Sequence, residues 1–331
     1  MLTRQRTMIL LLICFFISYA VSFPVHAAQS AAVKSSSTSR QFGAAPFDPE
    51  RTFEEYNSNL KVQEKGDYTI VTWSPIYSPD GQHIYMSVAK KDKWLFRGKE
   101  VLTFNKTGDG SSKSIVFVNN SIFFGDKKSL QVATINLEDG LVTSQKTLHI
   151  WDKPADSYST ARKFFPIETN DRSGVIYETE KGKYEIVFEG ELSKPLKIDD
   201  PKNKIKRNIA SEMILTSKRD RLIFRGGAVT TVFNINKKDM LYDARGYDWV
   251  YRGISFYDSG RFYACESGDL FSIQAIDENF KVLSKTSFKV PAASDGYFAG
   301  ITVKNNVVRY WNFKAYQGTN SLQVTNFNLG K

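Results

Sequence analysis

A pattern of one short strand-forming run, a polar turn and a second strand-forming run recurs six times along this sequence of 331 residues. The first copy reads YSPDGQHIYM, and the later copies keep the pattern with different residues. Self-similarity at a fixed period is the signature of repeat architectures, so this recurrence constrains the fold more than any single motif does. The six turns lie on average about 45 residues apart, at Asp80, Asn119, Asp171, Asp220, Asp258 and Asn305.

The length of this period predicts one four-stranded propeller blade per copy, because blades typically take about 40 to 50 residues. The last copy ends after its third strand, so we expect residues 60–71 to supply the missing strand and to close the ring by pairing N- and C-terminal strands. The sequence therefore predicts an all-β fold, a six-bladed β-propeller. Seven blades, if residues 47–70 hold more than a closing strand, and two separate β domains are the alternatives.

The first copy resembles a known family. YSPDGQHIYM is similar to the SPDG repeat of the TolB-like, WD40-like β-propellers, in which Ser-Pro-Asp-Gly turns the inner strand of a blade into the second. Among the other copies, Tyr257-Asp258-Ser259-Gly260 comes nearest to this motif. The resemblance implies a propeller over about residues 60–331.

The N-terminal 27 residues are typical of a secretory signal peptide. Arg4 and Arg6 precede an apolar run from Met8 to Phe23, which is shorter than the roughly 20 residues that span a bilayer. We expect cleavage after Ala27, which makes the chain periplasmic or secreted and leaves no transmembrane segment; an uncleaved anchor is the alternative. Residues 28–46 are small and polar and predict a flexible leader, so that residues 47–331 form the propeller domain.

Residues suited to catalysis are few. After signal removal the chain keeps His83, His149 and Cys265, so it has neither an internal disulfide nor enough ligands for a zinc site built from Cys and His. The G-x-S-x-G, H-E-x-x-H and P-loop motifs are absent. We therefore predict no catalytic residues, no metal site and no cofactor. The alternative is a propeller enzyme, namely a glycan hydrolase, a lyase or a calcium-dependent lactonase-like protein, with candidate carboxylates at Glu178, Glu180, Glu212, Glu266 and Asp269.

The charge balance favours an anionic partner, since 45 Lys and Arg residues outnumber 35 acidic residues. In a propeller, the loops between the second and third strands and those between blades lie on one face, and we place the basic clusters in these loops. Aromatic residues near the same rim add candidate contacts. The predicted binding residues are Lys90, Lys91, Lys93, Trp94, Lys127, Lys128, Lys181, Lys183, Lys204, Lys206, Arg207, Trp249, Tyr251 and Arg252, with Trp151, Tyr158 and Tyr247 as further rim aromatics.

These observations predict an exported, non-catalytic binding or scaffold protein. It would engage a protein, an acidic polysaccharide or lipid head groups through the lysine-rich loops, and its export disfavours nucleic acid. Three other interpretations stay open: the propeller enzyme, turn lysines that serve only solvation, and a structural component of a larger exported assembly that is attached through Cys265 or the leader.

Overall fold

The computed structural model describes residues 38–42, 60–74, 82–104, 114–125, 129–151, 164–169, 172–205, 212–225, 231–241, 256–258, 261–266, 270–277, 281–289, 297–304, 307–316 and 319–328. The chain divides into two compact units, residues 1–32 and residues 33–331, and every described residue belongs to the second. Among these residues, no helix has the length and apolar character needed to cross a membrane.

The strands fall into successive groups of four, in which neighbours pair antiparallel. Sheet I contains β2 (Lys61–Lys65), β3 (Tyr68–Trp73), β4 (Gln82–Lys90) and β5 (Lys93–Phe104). Sheet II contains β6 (Ser114–Val118), β7 (Ser121–Gly125), β8 (Ser129–Ile135) and β9 (Val142–Ile150). Sheet III contains β10 (Phe164–Glu168), β11 (Ser173–Glu180), β12 (Lys183–Phe188) and β13 (Leu196–Asp199).

The C-terminal half repeats this arrangement. Sheet IV contains β14 (Glu212–Leu215), β15 (Arg221–Arg225), β16 (Thr231–Asn234) and β17 (Asp239–Leu241). Sheet V contains β18 (Phe256–Asp258), β19 (Arg261–Glu266), β20 (Leu270–Asp277) and β21 (Val282–Lys289). Sheet VI contains β22 (Tyr297–Lys304), β23 (Val307–Tyr316), β24 (Thr319–Asn328) and the N-terminal strand β1 (Thr38–Phe42). A short parallel pairing of β10 with β14 joins sheets III and IV into eight strands.

The strand that completes sheet VI is not the one that we expected from the sequence. β1 pairs antiparallel with β24, from Thr38 opposite Asn326 to Phe42 opposite Leu322. Residues 60–71 instead begin sheet I as β2 and β3, so their prediction as the closing strand is wrong. β1 also lies inside the predicted leader; the rest of residues 28–46 is outside the described part of the chain.

The SPDG turn has a different position from the one expected. It separates β3 from β4, the second and third strands of sheet I, instead of joining the first strand to the second. The turn residues themselves lie outside the described ranges. In the other five sheets, the anchor turn of the repeat does follow the first strand of the sheet.

The core lies between sheets, because alternating residues of the strands point to opposite faces and apolar residues occupy both. One apolar cluster joins Ile84 and Met86 of sheet I to Ile122 of sheet II, and others join II to III, III to IV and V to VI. A further cluster packs Trp73 of sheet I against Trp311 of sheet VI. The first and last sheets of the described chain therefore share a core.

Candidate interaction site

The turns at one end of sheets I, II and III bring polar residues together. β2 and β3 are joined by Gly66 and Asp67, and the positive φ of Gly66, 57°, suits a residue without a Cβ. β6 and β7 are joined by Asn119 and Asn120, where Asn119 has a φ of 49°, a conformation that asparagine tolerates better than most residues do. The turn after β12 begins with Glu189.

Contacts between these turns link the three sheets. Lys65 Nζ donates to Asn120 Oδ1 at 2.7 Å and pairs with Glu189 Oε1 at 3.0 Å. Asn119 Nδ2 donates to Glu189 Oε2 at 2.8 Å, and the backbone N–H of Asn119 donates to Gln63 Oε1 at 3.1 Å. We call Gln63, Lys65, Asn119, Asn120 and Glu189 the turn cluster. Its hydrogen bonds hold the turns of three sheets in one fixed arrangement.

Glu64, the acidic residue of β2, links sheet I to sheet VI. The Glu64 carboxylate accepts hydrogen bonds from Thr302 Oγ1, at 2.6 Å, and from the Arg309 guanidinium. The Thr302 hydroxyl also accepts a 2.8 Å hydrogen bond from the Trp311 indole N–H. Only 9% of the Glu64 side chain is exposed, so this link is screened from solvent. β2 thus contacts sheets on both sides of its own.

A second charged group lies beside the turn cluster. Lys90 Nζ pairs with Glu138 Oε1 at 2.6 Å and sits 5.0 Å from the centre of the Tyr68 ring, while the Tyr68 hydroxyl donates to the same carboxylate. The hydrogen bond from Lys90, and then that from Tyr68, lowers the pKa of Glu138. The same contacts raise the pKa of Lys90. This group joins sheet I to the β8–β9 turn of sheet II.

The first predicted lysine cluster lies at this same end. Lys90, Lys91 and Lys93 surround the β4–β5 turn, and the backbone N–H of Lys91 donates to the carbonyl of Asp67 at 3.0 Å. The Lys91 side chain is 76% exposed. Trp94 is half-buried and packs on the apolar cluster between sheets I and VI, with the Arg97 guanidinium 5.8 Å from its ring centre.

The other described lysines of the prediction lie elsewhere. Lys181 and Lys183 flank the β11–β12 turn, at the end of sheet III opposite to Glu189. Because Glu189 contacts Lys65, the prediction that Lys90, Lys91 and Lys93 share a face with Lys181 and Lys183 is wrong. Each antiparallel sheet has its first and third turns at one end and its second turn at the other.

Several predicted lysines are engaged by acids. Lys183 pairs with Glu180 at 3.0 Å, and Lys204 lies 3.3 Å from Asp239. The pKa of Asp239 is lowered, chiefly by a hydrogen bond from Lys202 and then by the backbone N–H of Met240. The other predicted binding residues, namely Lys127, Lys128, Lys206, Arg207, Trp249, Tyr251 and Arg252, lie outside the described residues, as do Tyr158 and Tyr247.

The candidates for an enzyme site do not converge in the described part of the chain. Glu178 accepts the backbone N–H of Gly182 at 3.4 Å, and Glu180 is the partner of Lys183. The side chains of Glu212 and Glu266, and all of Asp269, lie outside the described residues. Among the residues that are described, no three His, Cys, Asp or Glu side chains form a group suited to a metal ion.

Trp151, His149 and His83 contact other residues of the described chain. Trp151 is buried, and its indole N–H donates to the backbone carbonyl of Glu178 at 2.6 Å. His149 packs edge-on against Trp151, with ring centres 5.2 Å apart. His83 pairs with Glu100 at 3.1 Å, and a hydrogen bond from Thr103 is the largest cause that lowers the pKa of Glu100. Cys265 lies in β19, and its side chain is outside the described set.

Sequence reasoning missed the turn cluster and Glu64. The five residues of β2, KVQEK, are polar except for the buried Val62, and this composition is the only signal of their role in the sequence. Val62 alone gives β2 little apolar surface to bury, so hydrogen bonds and ion pairs from its polar side chains to other sheets add to its stability.

Comparison with known proteins gives no family assignment. No family model matches the chain, and no curated protein matches it. The specific resemblance to the TolB-like family therefore stays a prediction.

The chain is similar at low identity to solved β-propeller-like structures. A luciferin-regenerating enzyme is 9% identical with a TM-score of 0.41, covering 89% of this chain and 96% of that one. A Bacillus subtilis arabinanase is 11% identical with a TM-score of 0.31, covering 87% and 97%. The WD40 domain of SCAP from fission yeast is 11% identical with a TM-score of 0.30, covering 83% and 85%.

Proposed function

We propose that this chain is a six-bladed β-propeller that binds a partner and performs no catalysis. Each of the six groups of four strands would be one blade, and β1 would close the ring by completing the blade of β22, β23 and β24. The shared core of sheets I and VI supports closure, since Trp73 and Trp311 belong to one apolar cluster.

The partner in this proposal is a protein or an acidic polymer, such as an acidic polysaccharide or a membrane with anionic head groups. Cleavage of residues 1–27 would deliver the protein to the periplasm or the medium, where such partners occur. The excess of Lys and Arg over Asp and Glu would speed the encounter with an anionic partner.

The observation that carries the proposal is the turn cluster. Lys65 is bonded to the Asn120 side chain, Glu189 is bonded to the Asn119 side chain, and Lys65 and Glu189 pair with each other. The three turns therefore form a fixed polar surface, here called the platform, whose side chains would lose little conformational entropy when a partner binds. Beside this platform, Lys91 and Lys93 have exposed side chains. Lys91 lies 3.7 Å from Asp67 in an exposed ion pair, which an acidic group of a partner can replace at little cost. A fixed polar platform with exposed charges at its edge suits recognition.

The test compares the two ends of the sheets in one experiment. The mature protein carrying Lys91→Glu and Lys93→Glu is immobilised beside a matched control carrying Lys181→Glu and Lys183→Glu. Envelope and culture-fluid fractions of the source cells are applied at low and high salt, and immobilised alginate supplies a defined acidic polymer. Exposed ion pairs weaken with salt, so we expect salt-sensitive capture by the wild type.

The expected result is loss of capture in the Lys91 and Lys93 variant alone. Equal capture by both variants and the wild type would contradict a role for this end of the sheets. A protein that captures nothing, yet cleaves members of a glycan or lactone panel, would favour the propeller enzyme instead.

A further inference from the structure

β9 has an edge that pairs with no other strand of the described part of the chain. It is the last strand of sheet II, it extends from Val142 to Ile150, and within the described chain it pairs only with β8. Its residues from Val142 to Thr147 are all exposed. A long exposed edge strand offers a row of backbone N–H and C=O groups to which another strand can add.

Apolar side chains concentrate at this edge. Of the five large hydrophobic residues that are exposed in the described part of the chain, three lie at this edge: Ile150 at 69%, Leu141 at 57% and Val142 at 41%. The other two are Leu283 of β21, at 45%, and Leu95 of β5, at 38%. Leu141 directly precedes the strand and Ile150 ends it. Between two irregular pairings, Ser144 to Thr147 pair in regular register with β8.

The last strands of the other sheets are less suited to pairing. β13 and β17 have four and three residues, and β1 has five. β5 carries four charged residues, Lys93, Arg97, Lys99 and Glu100, and β21 carries Lys285 and Lys289. Short length and charge are the usual protection of edge strands, and β9 has a single charged residue, Lys146, in nine.

The charge on β9 indicates what kind of strand would fit. The sequence contains no acidic residue between Asp139 and Asp152, so Lys146 is a positive centre without an acid on its own strand. Two copies of this chain paired through β9 would bring two positive edges together with no acid on either. A different strand with an acidic residue at its centre would gain a cross-strand ion pair instead.

We propose that the edge of β9 accepts an extended segment of a partner protein as an additional strand of sheet II. The segment would place an acidic residue opposite Lys146 and apolar residues near Val142 and Ile150, while its backbone pairs with that of β9. This inference rests on the proposed binding function. It specifies that the partner is a protein, and it adds β9 as a second contact surface, separate from the turn cluster.

The test uses the full mature chain and a nine-residue peptide that alternates Thr and Val around a central Asp. A matched peptide has Lys in place of the Asp. Calorimetric titration measures affinity, and amide hydrogen exchange locates the site. We expect the Asp peptide to bind, to protect residues 142–150 and to bind about fivefold more tightly than the Lys peptide, as a cross-strand charge pair allows. In Lys146→Glu the preference should reverse.

Control variants separate the edge from general effects. Ile150→Lys should abolish measurable binding, whereas Leu283→Lys, which changes an exposed leucine of β21, should leave it unchanged.

The Lys91→Glu and Lys93→Glu variant should bind the peptide normally, so failure of the peptide assay with intact salt-sensitive capture would overturn this inference alone. Affinity unaffected by Lys146→Glu and Ile150→Lys would also overturn it. So would a dimer in sedimentation that Ile150→Lys dissociates, since the occupant would then be a second copy.

Discussion

β2 and β9 are both terminal strands of their sheets, yet they use their side chains in opposite ways. β2 has five residues, and its four polar side chains contact other sheets: Glu64 reaches sheet VI, Lys61 and Gln63 reach sheet II, and Lys65 reaches sheets II and III. β9 has nine residues, of which the first six are exposed. Polar side chains of β2 thus link sheets to one another, whereas those of β9, such as Thr143 and Gln145, hydrogen-bond only to β8 of their own sheet among the described contacts.

The largest effect is expected from Glu64→Ala. The substitution leaves the Arg309 guanidinium and the Thr302 hydroxyl without their common acceptor in a poorly exposed place. We expect the free energy of unfolding, measured in urea, to fall by about 3 kcal/mol. Ile150→Ala on β9 should change it by less than about 0.5 kcal/mol, because surface substitutions away from special contacts have little effect. Similar values for both variants would remove the contrast between the strands.

A smaller loss of stability is expected from Glu189→Ala, which tests the contacts of β2 with sheets II and III. Glu189 is 15% exposed and accepts hydrogen bonds from Lys65, Asn119 and, at 3.5 Å, Ser121. We expect the free energy of unfolding to fall by about 1 to 2 kcal/mol. The control is Glu191→Ala on the same turn, because its ion pair with Arg172 is half exposed and worth little. A larger loss in the control would contradict the importance of the turn cluster.

The smallest effect is expected at Glu138, near the start of β9, and it should depend on pH. The folded protein lowers the pKa of Glu138 below its ordinary value near 4.5, so this residue adds stability above that pH and loses the contribution as the pH falls through the lowered pKa. Lys90, whose pKa is raised, keeps its contribution until the pH exceeds 10.5. Glu138→Gln should therefore lower the Tm slightly at pH 7, and the difference from the wild type should shrink as the pH falls through the lowered pKa of Glu138. A difference in Tm that does not depend on pH in the acidic range would contradict the assignment.

The sequence predicted the strands and their grouping better than the position of the first repeat. Spacing measures a period, and it does not tell which turn of a blade the anchor occupies. Asn119, Asp171 and Asp220 lie in the sequence between the first and second strands of their sheets, whereas Asp80 lies between the second and third strands of sheet I. The closing strand was missed for a related reason: β1, TSRQF, is mostly polar and pairs with β24 through its backbone, so no apolar alternation marks it.

The candidate site was less predictable than the fold. Because the first repeat is displaced by one turn, the sequence predicts that the β4–β5 turn is the second turn of its blade, whereas it is the third turn of sheet I. Lys90, Lys91 and Lys93 therefore lie at the opposite end of the sheet from the one predicted. Lys65 and Glu189 are 124 positions apart and meet only because three sheets pack in succession. No local pattern encodes such a contact.

The pairing of β1 with β24 also has a consequence for how the protein is made. Phe42 is among the first residues of the unit to leave the ribosome, and its neighbour Leu322 is among the last. Contacts between such distant residues form slowly, because a long loop must be closed before the pairing stabilises it. Sheet VI can therefore be completed only after β24 has left the ribosome, so β1 lacks this pairing until nearly all of the unit has been synthesised.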